Sequence, residues 1–338
     1  MREHLPTVAF GETDMAITRV GFGSWAIGGG GWAFTWGAQG DDLSVRAILR
    51  AVERGVNWID TAAVYGLGHS EEVVARALKA LPEGDRPYVF TKGGLRWDDA
   101  DPMTPATRVG NPASIRFEVE QSLRRLEVER IDLYQMHWPS EDGTTVEDYW
   151  PVFAELVESG KVRAIGLSNH DVPDLEKCEA IRHVDSLQPL FNMIRRGVAA
   201  DLLPWCASHG TGSIVYSPMA SGILTGSFTE EKAASLAEDD WRRNSDSFRG
   251  EGLRRNLALV DRIRPIAESH DTTVGAVAIA WALTFPGVTG AIVGARSPEQ
   301  VDGWIPAATL TLSKEDLAGI RTALTELEVG DGPVQPVA

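Results

Sequence analysis

Cysteine is scarce in this chain of 338 residues, which contains only Cys178 and Cys206. The two do not form a C-x-x-C pair, and no cluster of histidines accompanies them. A disulfide framework or a structural zinc site needs more cysteines, or a closer spacing, than this. The pattern is typical of a reducing compartment, and we expect a cytoplasmic protein.

Basic residues are also in deficit. Lysine and arginine together number 32, against 48 aspartates and glutamates, so that the formal net charge is −16. Nucleic acids and anionic membrane surfaces attract basic proteins. We therefore expect neither of them as the main partner.

Long apolar runs are missing as well. The most apolar stretch, residues 274–283, is shorter than the roughly 20 residues that a membrane-spanning helix requires. Residues 1–17 lack the apolar centre of a signal peptide. The sequence thus predicts a soluble protein.

What the sequence does contain is a regular alternation. Short apolar runs, many of them β-branched, are followed by longer segments with helical periodicity, which is typical of repeated βα units. Helices are predicted in segments 43–55, 69–81, 113–129 and 148–160. The apolar runs predict eight strands, at 19–23, 57–60, 88–92, 131–137, 162–168, 186–190, 212–217 and 290–295.

Eight βα units without a polar linker favour one closed α/β domain. We predict a single (β/α)8 TIM barrel that comprises residues 1–338, with a core at about residues 15–325. Residues 7–20 predict an N-terminal β-hairpin before the first barrel strand. Residues 313–328 predict an extra C-terminal helix after the last unit.

An open, doubly wound sheet is the alternative fold. The segment GFGSWA at 21–26 matches the GxGxxA form of the dinucleotide-binding fingerprint and follows a predicted strand. That fingerprint works only where a helix begins at once and points its N-terminus at the pyrophosphate. Here a glycine-rich stretch follows, and no helix can begin before about Asp41. The barrel is therefore favoured.

Four polar residues lie at or just after the carboxyl ends of the predicted strands, which in such a barrel face a common pocket. Asp60, Lys92 and His137 end the second, third and fourth strands, and Tyr65 lies in the loop after the second. Buried charges need partners, so Asp60 and Lys92 are expected to neutralise each other.

Together these four side chains supply the groups that proton transfer to a reacting oxygen requires. We expect the cation to lower the pKa of Tyr65, so that the tyrosine can exchange a proton with a reacting oxygen. His137 is expected to donate a hydrogen bond to the same oxygen. Such a site reduces a C=O bond with a hydride that a cofactor supplies.

Five segments carry these residues: NWIDTAAVYGLGHSEEVVARAL, FTKGG, SLRRLEVERIDLYQMHWP, GKVRAIGLSNH and YSPMASGILTG. In this order they resemble the aldo-keto reductase superfamily over about residues 15–325. The segments DTAAVYGLGHSEE and DWRR resemble its bacterial stress-related and sugar-active members. The resemblance implies that Tyr65 is the general acid and base, that Asp60 and Lys92 tune it, and that His137 polarises the carbonyl.

The resemblance also implies a nicotinamide cofactor. Ser168, Asn169 and Gln188 would hold the nicotinamide carboxamide, and Tyr216 would stack on the ring. Further cofactor contacts are implied for Gly23, Ser24, Trp25, Asp60, Ser217, Pro218, Gly222 and Gly294.

The segment GARSPEQVD at 294–302 resembles the adenosine-phosphate site of the family. Arg296 would meet the 2′-phosphate, with Ser297 and Gln300 nearby. A guanidinium suits a phosphate better than a bare ribose, so NADP(H) is predicted in preference to NAD(H), although some relatives with a similar arginine accept both. Trp304 stands near the place of an asparagine that contacts adenine in relatives, so that contact is lost or replaced by stacking.

Tryptophans that follow strand ends predict an aromatic substrate pocket, formed by Trp25, Trp32, Trp97 and Trp138. Three long segments, 28–40, 95–112 and 219–251, are expected to select the substrate. The last of them resembles the family loop that folds over the cofactor.

We thus predict an NADP(H)-dependent oxidoreductase that reduces an aldehyde or ketone, or oxidises the corresponding alcohol or sugar hemiacetal, without a metal. A sugar or polyol dehydrogenase that works mainly in oxidation is one alternative. A cofactor-binding regulatory subunit of the same fold is another. A metal-dependent barrel hydrolase would need clustered histidine and aspartate ligands, which the strand ends lack. The partner is a small carbonyl or sugar substrate, and no coiled-coil heptad indicates an oligomeric state.

Overall fold

The structure is a computed structural model that describes residues 3–237 and 240–336. The outer ends of the predicted 1–338 domain therefore lie outside the described residues. So do two residues of the 219–251 loop.

Strands and helices alternate along the chain. The strands are β1 (Thr7–Ala9), β2 (Ala16–Thr18), β3 (Val20–Gly23), β4 (Trp58–Asp60), β5 (Tyr88–Gly93), β6 (Leu95–Arg96), β7 (Thr107–Arg108), β8 (Ile131–Met136), β9 (Val162–Ser168), β10 (Ser186–Gln188), β11 (Gly212–Tyr216) and β12 (Gly290–Gly294). The α-helices are α1 (Asp41–Glu53), α2 (His69–Lys79), α3 (Pro112–Leu126), α4 (Val146–Glu158), α5 (Val172–Glu179), α6 (Leu202–His209), α7 (Glu230–Ala234), α8 (Gly250–Ser269), α9 (Val274–Ala282), α10 (Pro298–Trp304) and α11 (Lys314–Glu326).

Eight parallel strands close into a barrel in the order β3, β4, β5, β8, β9, β10, β11, β12. Closure is made by β12 against β3, with Gly294 opposite Gly23 and Ile292 opposite Gly21. The predicted (β/α)8 fold is confirmed, and the open-sheet alternative is wrong. A single 3-10 turn, Trp25–Ile27, follows β3, and the first α-helix begins only at Asp41, so no α-helix N-terminus faces the GFGSWA turn.

The barrel interior is filled by large side chains. Trp58 of β4 is fully buried and tilts against Phe90 of β5, with ring centroids 5.3 Å apart. Gly21 and Gly290 leave the space for this indole, since a Cβ at Gly21 would lie 2.2 Å from the ring. The interior is therefore a packed core, as in other barrels of this kind.

The predicted N-terminal hairpin is present and covers one end of the barrel. Strands β1 and β2 pair antiparallel, with Val8 opposite Ile17. Phe10 stacks on Phe90 at 5.5 Å and lies against Gly212, the first residue of β11. The hairpin thus covers the amino-terminal end and leaves the carboxyl-terminal end open.

Helices bury their apolar faces on the outside of the barrel. In α1 the buried side chains include Ala47, Ile48, Ala51 and Val52, which are spaced to form one face. Every residue of α9 is buried, because this helix packs between α8, α10 and the 3-10 turns around it. No helix in residues 3–237 and 240–336 is long and apolar enough to cross a membrane.

Two features differ from the predicted pattern. The predicted C-terminal helix is present as α11, with a capping box of Ser313 and Asp316, but it packs on α8, a long helix whose bounds were not predicted from the sequence. The segment 95–112 contains a short hairpin, β6 with β7, that was also missed. Two-residue strands have no periodicity by which a pattern could detect them.

Candidate active site

A buried ion pair lies at the carboxyl ends of two neighbouring strands. Lys92 Nζ donates to Asp60 Oδ1 at 2.6 Å and to the Thr61 carbonyl at 2.9 Å. Asp60 Oδ2 accepts from Gln188 Nε2 at 2.9 Å. Burial raises the pKa of Asp60 and lowers the pKa of Lys92, and the contact between them opposes both shifts. The predicted pairing of these two charges is therefore present.

Tyr65 and His137 lie next to this pair. Their rings meet edge to face with centroids 5.7 Å apart, and Lys92 Nζ lies 5.2 Å from the centre of the Tyr65 ring. Burial, followed by the Lys92 and Arg108 charges, lowers the pKa of His137 well below its ordinary value. The imidazole is therefore neutral and can donate one N–H.

The expected direction of the Tyr65 pKa shift is wrong in this structure. Burial raises this pKa well above its ordinary value, and the Asp60 charge adds to the effect. The Lys92 charge was expected to dominate, but it is largely balanced by the Asp60 carboxylate at 2.6 Å. The tyrosine consequently keeps its proton.

The predicted nicotinamide ligands form one hydrogen-bonded chain. Tyr216 Oη donates to Asn169 Oδ1 at 2.8 Å, and Asn169 Nδ2 donates to Ser168 Oγ at 3.0 Å. Ser168 Oγ donates in turn to the Gln188 carbonyl at 2.9 Å. Asn169 has a φ of 62°, so its backbone is held in the left-handed region. The structure therefore brings all four residues together, beside Asp60.

Two cavities open at this end of the barrel. We call them the aromatic cavity, of about 460 Å³, and the polar cavity, of about 490 Å³. Both are lined by Trp25, Tyr65, Gln188 and Tyr216. The two cavities therefore meet at these four side chains, of which Tyr65 is one.

The aromatic cavity contains three of the four predicted substrate-pocket tryptophans. Trp25, Trp32 and Trp138 line it, together with His137. Trp97 is not among its lining residues, because its indole turns toward the loop and donates to Asp99 at 2.8 Å. The prediction failed there because a strand-end position does not fix where a loop side chain points.

The polar cavity gathers most of the predicted cofactor ligands. Those that line it are Gly23, Ser24, Trp25, Asp60, Gln188, Tyr216, Ser217, Pro218, Gly222, Gly294, Arg296 and Gln300. Ser168 and Asn169 line the aromatic cavity instead. Ser297 lines neither cavity, and its side chain caps α10 by accepting from the Gln300 backbone. Trp304 also lines the polar cavity and is 2% exposed.

Arg296 is already engaged by the glycine-rich loop. Its guanidinium donates to the Trp36 carbonyl at 3.1 Å, to the Ala38 carbonyl, and to Gln39 Oε1 at 2.8 Å. Gln39 Nε2 donates back to the Arg296 carbonyl at 2.8 Å. A phosphate at this position would therefore exchange with protein acceptors.

Sequence reasoning missed a layer of residues over the polar cavity. Trp25 stacks on Trp241 at 6.0 Å and meets Trp36 edge to face at 5.3 Å. Arg242 lies 4.8 Å from the Trp36 ring and pairs with Asp240 at 2.6 Å. Trp36 lies in a glycine-rich loop and Trp241 in a charge-rich loop, and tryptophans in such loops could have drawn attention to a binding site. No sequence pattern, however, indicated that the two loops meet.

The residues of the polar cavity fit a phosphate-bearing dinucleotide. A Cβ added at Gly222 would meet only Arg242 Nη1 at 4.0 Å, and one at Gly294 only the Gly23 carbonyl at 3.7 Å. A ligand can therefore approach the backbone closely at both glycines. Hydroxyl groups and the two guanidiniums of Arg242 and Arg296 line the same space, which is a donor set suited to phosphate.

Comparison with known proteins agrees with this geometry. The sequence matches the model of the Aldo/keto reductase family over residues 19–325. It is 34% identical over 326 residues to aldo-keto reductase YhdN of Bacillus subtilis, covering 96% of this chain and 95% of the relative. It is 33% identical over 332 residues to the NADH-specific methylglyoxal reductase of Escherichia coli, covering 95% of this chain and 99% of the relative.

A solved structure is similar across the whole barrel. The glycerol dehydrogenase AKR11B4 from Gluconobacter oxydans superimposes with a TM-score of 0.87 at 36% identity, covering 98% of each chain. Family match, identity and fold therefore all indicate the same family. The chain belongs to the aldo-keto reductase family, oxidoreductases that use nicotinamide cofactors.

Proposed function

We propose that this protein interconverts a small carbonyl compound and its alcohol with a nicotinamide cofactor, and that Tyr65 exchanges the proton. One observation carries the proposal. Tyr65 lies where the aromatic and polar cavities meet, between the Asp60–Lys92 pair and His137. A substrate in the aromatic cavity and a dinucleotide in the polar cavity would both reach this side chain.

The bound cofactor would supply a hydride in reduction and accept one in oxidation. In reduction, neutral His137 donates its N–H to the carbonyl oxygen, and Tyr65 transfers its proton to the same oxygen as negative charge develops. The Lys92 ammonium, 5.2 Å from the Tyr65 ring centre, then stabilises the phenolate. In oxidation the same groups act in reverse.

For the cofactor we propose NADP(H), with NAD(H) as a weaker second. Arg296 and Arg242 both line the polar cavity, and the Arg242 charge lowers the pKa of Arg296 in addition to burial. Two neighbouring guanidiniums are stabilised by an anion between them. The NADH-specific relative from Escherichia coli makes a direct comparison of the two cofactors necessary.

Oxidation of a polyol or sugar is the second candidate function. It is favoured by the 36% identity to a structure described as a glycerol dehydrogenase. The walls of the aromatic cavity, which include Trp25, Trp32 and Trp138, would suit the apolar faces of a sugar ring as well as an aldehyde.

For the site of action we propose the cytoplasm. The thiols of Cys178 and Cys206, both free and buried, support this proposal.

The decisive experiment compares wild-type protein with Tyr65→Phe. We expect NADPH-dependent reduction of 4-nitrobenzaldehyde and methylglyoxal, and NADP+-dependent oxidation of glycerol or an aldose, in the wild type. Tyr65→Phe should lower kcat by about 100- to 10,000-fold, while cofactor binding, followed by fluorescence, persists. Tyr88→Phe is the matched control, because its ring packs against Arg163 and lines neither cavity. Full activity in Tyr65→Phe would refute the proposal.

A further inference from the structure

Two charged side chains lie in the otherwise uncharged wall of the aromatic cavity. Among its described lining residues, Arg108 and Glu141 carry the only full charges, and tryptophan, phenylalanine, leucine and proline form much of the remainder. Neither residue belongs to the catalytic set proposed above. Charge placed in an apolar pocket usually fixes the orientation of a ligand.

Arg108 is held in place from three sides. It belongs to β7, and Leu95 of β6 is its register partner. Its guanidinium lies 4.5 Å from the centre of the Trp138 ring, a cation–π contact in which the planar group is fixed. The Glu141 N–H also donates to the Arg108 carbonyl at 3.0 Å. The position of the cation is therefore largely set before a ligand arrives.

The Arg108 guanidinium has unused donors. Arg108 Nη1 donates to Glu141 Oε1 at 2.7 Å, and within the described residues neither Nε nor Nη2 has a hydrogen-bond acceptor. The Glu141 side chain is 66% exposed, against 36% for Arg108. Water therefore solvates the carboxylate and weakens the pair, while the guanidinium remains nearer the cavity.

The Arg108 charge also reaches the reacting centre. It is one of the charges that, after burial, lower the pKa of His137. His137 and Trp138 are adjacent in sequence, so the ring under the guanidinium is attached directly to the predicted carbonyl-orienting residue. Arg108 and His137 both line the aromatic cavity, so an anionic group bound at Arg108 would share that cavity with the His137 side chain.

We infer that Arg108 is a specificity-determining residue that binds a carboxylate on the substrate, at the end remote from the reacting carbonyl. This inference rests on the proposed function and names its substrate class: aldehydes, ketones or alcohols that bear a carboxylate. The carboxylate replaces Glu141 as acceptor and takes a bidentate pair of hydrogen bonds from the planar guanidinium. The aromatic walls enclose the carbon chain between the two ends.

The test uses two substrates that carry a carboxylate or its neutral methyl ester at one end, 4-carboxybenzaldehyde and methyl 4-formylbenzoate. The wild-type enzyme should show a kcat/KM at least about tenfold higher for the carboxylate, mostly through KM. Arg108→Met should remove this preference and leave the ester within about threefold of wild type, since the methionine preserves the apolar stem. Glu141→Gln should strengthen the preference for the carboxylate substrate, because a neutral amide at position 141 competes less well than a carboxylate for the Arg108 guanidinium.

Binding of 4-(hydroxymethyl)benzoate, measured by calorimetry, gives a readout that needs no turnover. We expect Arg108→Met to weaken it by about tenfold or more and to leave its methyl ester unaffected. Equal losses for both compounds, or a wild type without preference, would overturn the inference. If the enzyme reduced neither aldehyde but still bound these ligands with the expected charge dependence, the proposed function would be refuted and the Arg108 site would be retained.

Discussion

His137 and Tyr65 carry pKa shifts of opposite sign, and both shifts leave the side chain uncharged near neutral pH. Burial lowers the pKa of His137, so the ring gains a proton only well below its ordinary value of about 6.5. Burial raises the pKa of Tyr65, so the phenol loses its proton only well above about 10. The protonation state that reduction would need, with a neutral His137 as hydrogen-bond donor and a protonated Tyr65 as acid, is therefore present across the neutral pH range.

A flat pH profile follows for reduction. For a substrate without its own titrating group, kcat/KM should show no inflection between about pH 6.5 and 9. Oxidation needs Tyr65 as a base, so its rate should rise with pH over the same range. Steady-state rates at constant ionic strength measure both. A reductive inflection near pH 7 would contradict the directions of the two pKa shifts.

The Asp60–Lys92 pair should matter for stability as well as for chemistry. Because the Lys92 side chain is 0% exposed, Asp60→Asn leaves a buried ammonium without its partner. We expect this to lower the free energy of unfolding by about 3–5 kcal/mol, measured by urea denaturation with tryptophan fluorescence.

The double variant Asp60→Asn with Lys92→Met serves as its control. It removes both charges, so much of the stability should return while activity stays low. A single variant as stable as the wild type would show that Asp60 does not neutralise Lys92.

Arg296 provides the test of cofactor preference. Arg296→Gln should raise the KM for NADPH by about tenfold or more, because a charge-assisted contact with the 2′-phosphate is lost. The KM for NADH should change far less. Gln39→Ala removes a tether of the same guanidinium but keeps its charge, so this variant should retain the preference for NADPH. Equal effects of Arg296→Gln on both cofactors would mean that Arg296 only holds the loop.

At the scale of elements, two loops meet over the polar cavity. Segment 28–40 contributes Trp36, and segment 219–251 contributes Trp241 and Arg242. Their contacts are aromatic and cation–π, and each is worth about 0.5–1.5 kcal/mol. Such a cover is strong enough to slow release of a ligand and weak enough to open during turnover.

Trp241→Ala should therefore speed cofactor release. Loss of the stacking on Trp25 and the edge contact with Trp36 is expected to raise the dissociation rate by about 3- to 10-fold. Stopped-flow fluorescence with bound NADPH measures this rate. Trp205→Phe, in α6 and stacked on His209, is a control outside both cavities. An unchanged dissociation rate in Trp241→Ala would exclude the cover as a barrier to release.

The sequence predicted the barrel strands well, because each is an apolar run between helical segments, as in β9 and β11. The short hairpin of β6 and β7 could not be predicted from the sequence. The position of Arg108, which lies in β7, therefore could not be predicted either. The clustering of Asp60, Tyr65, Lys92 and His137 could be predicted because all four lie at strand ends or in the loop after one. The sign of the Tyr65 pKa shift could not be predicted, since it depends first on how deeply the phenol is buried, which no sequence pattern contains.

At the scale of the whole molecule, the two ends of the barrel have separate roles. The hairpin of β1 and β2 covers the amino-terminal end with Phe10, and the cavities occupy the carboxyl-terminal end. The overall charge of −16 repels anions at long range. Local arginines, among them Arg242 and Arg296, therefore have to provide the attraction for a phosphate.

Barrel closure by the last strand against the first also determines when a newly made chain can bind its cofactor. Gly23 and Gly294 are register partners, and both line the polar cavity. The ribosome delivers the chain from its N-terminus, so the wall formed by β12 and by Arg296, Gln300 and Trp304 is the last part of the cavity to appear. A nascent chain that already contains Asp60, Tyr65, Lys92 and His137 still lacks one side of its dinucleotide cleft until β12 emerges. Cofactor capture is thus a late step in the synthesis of this domain, because it has to wait for β12.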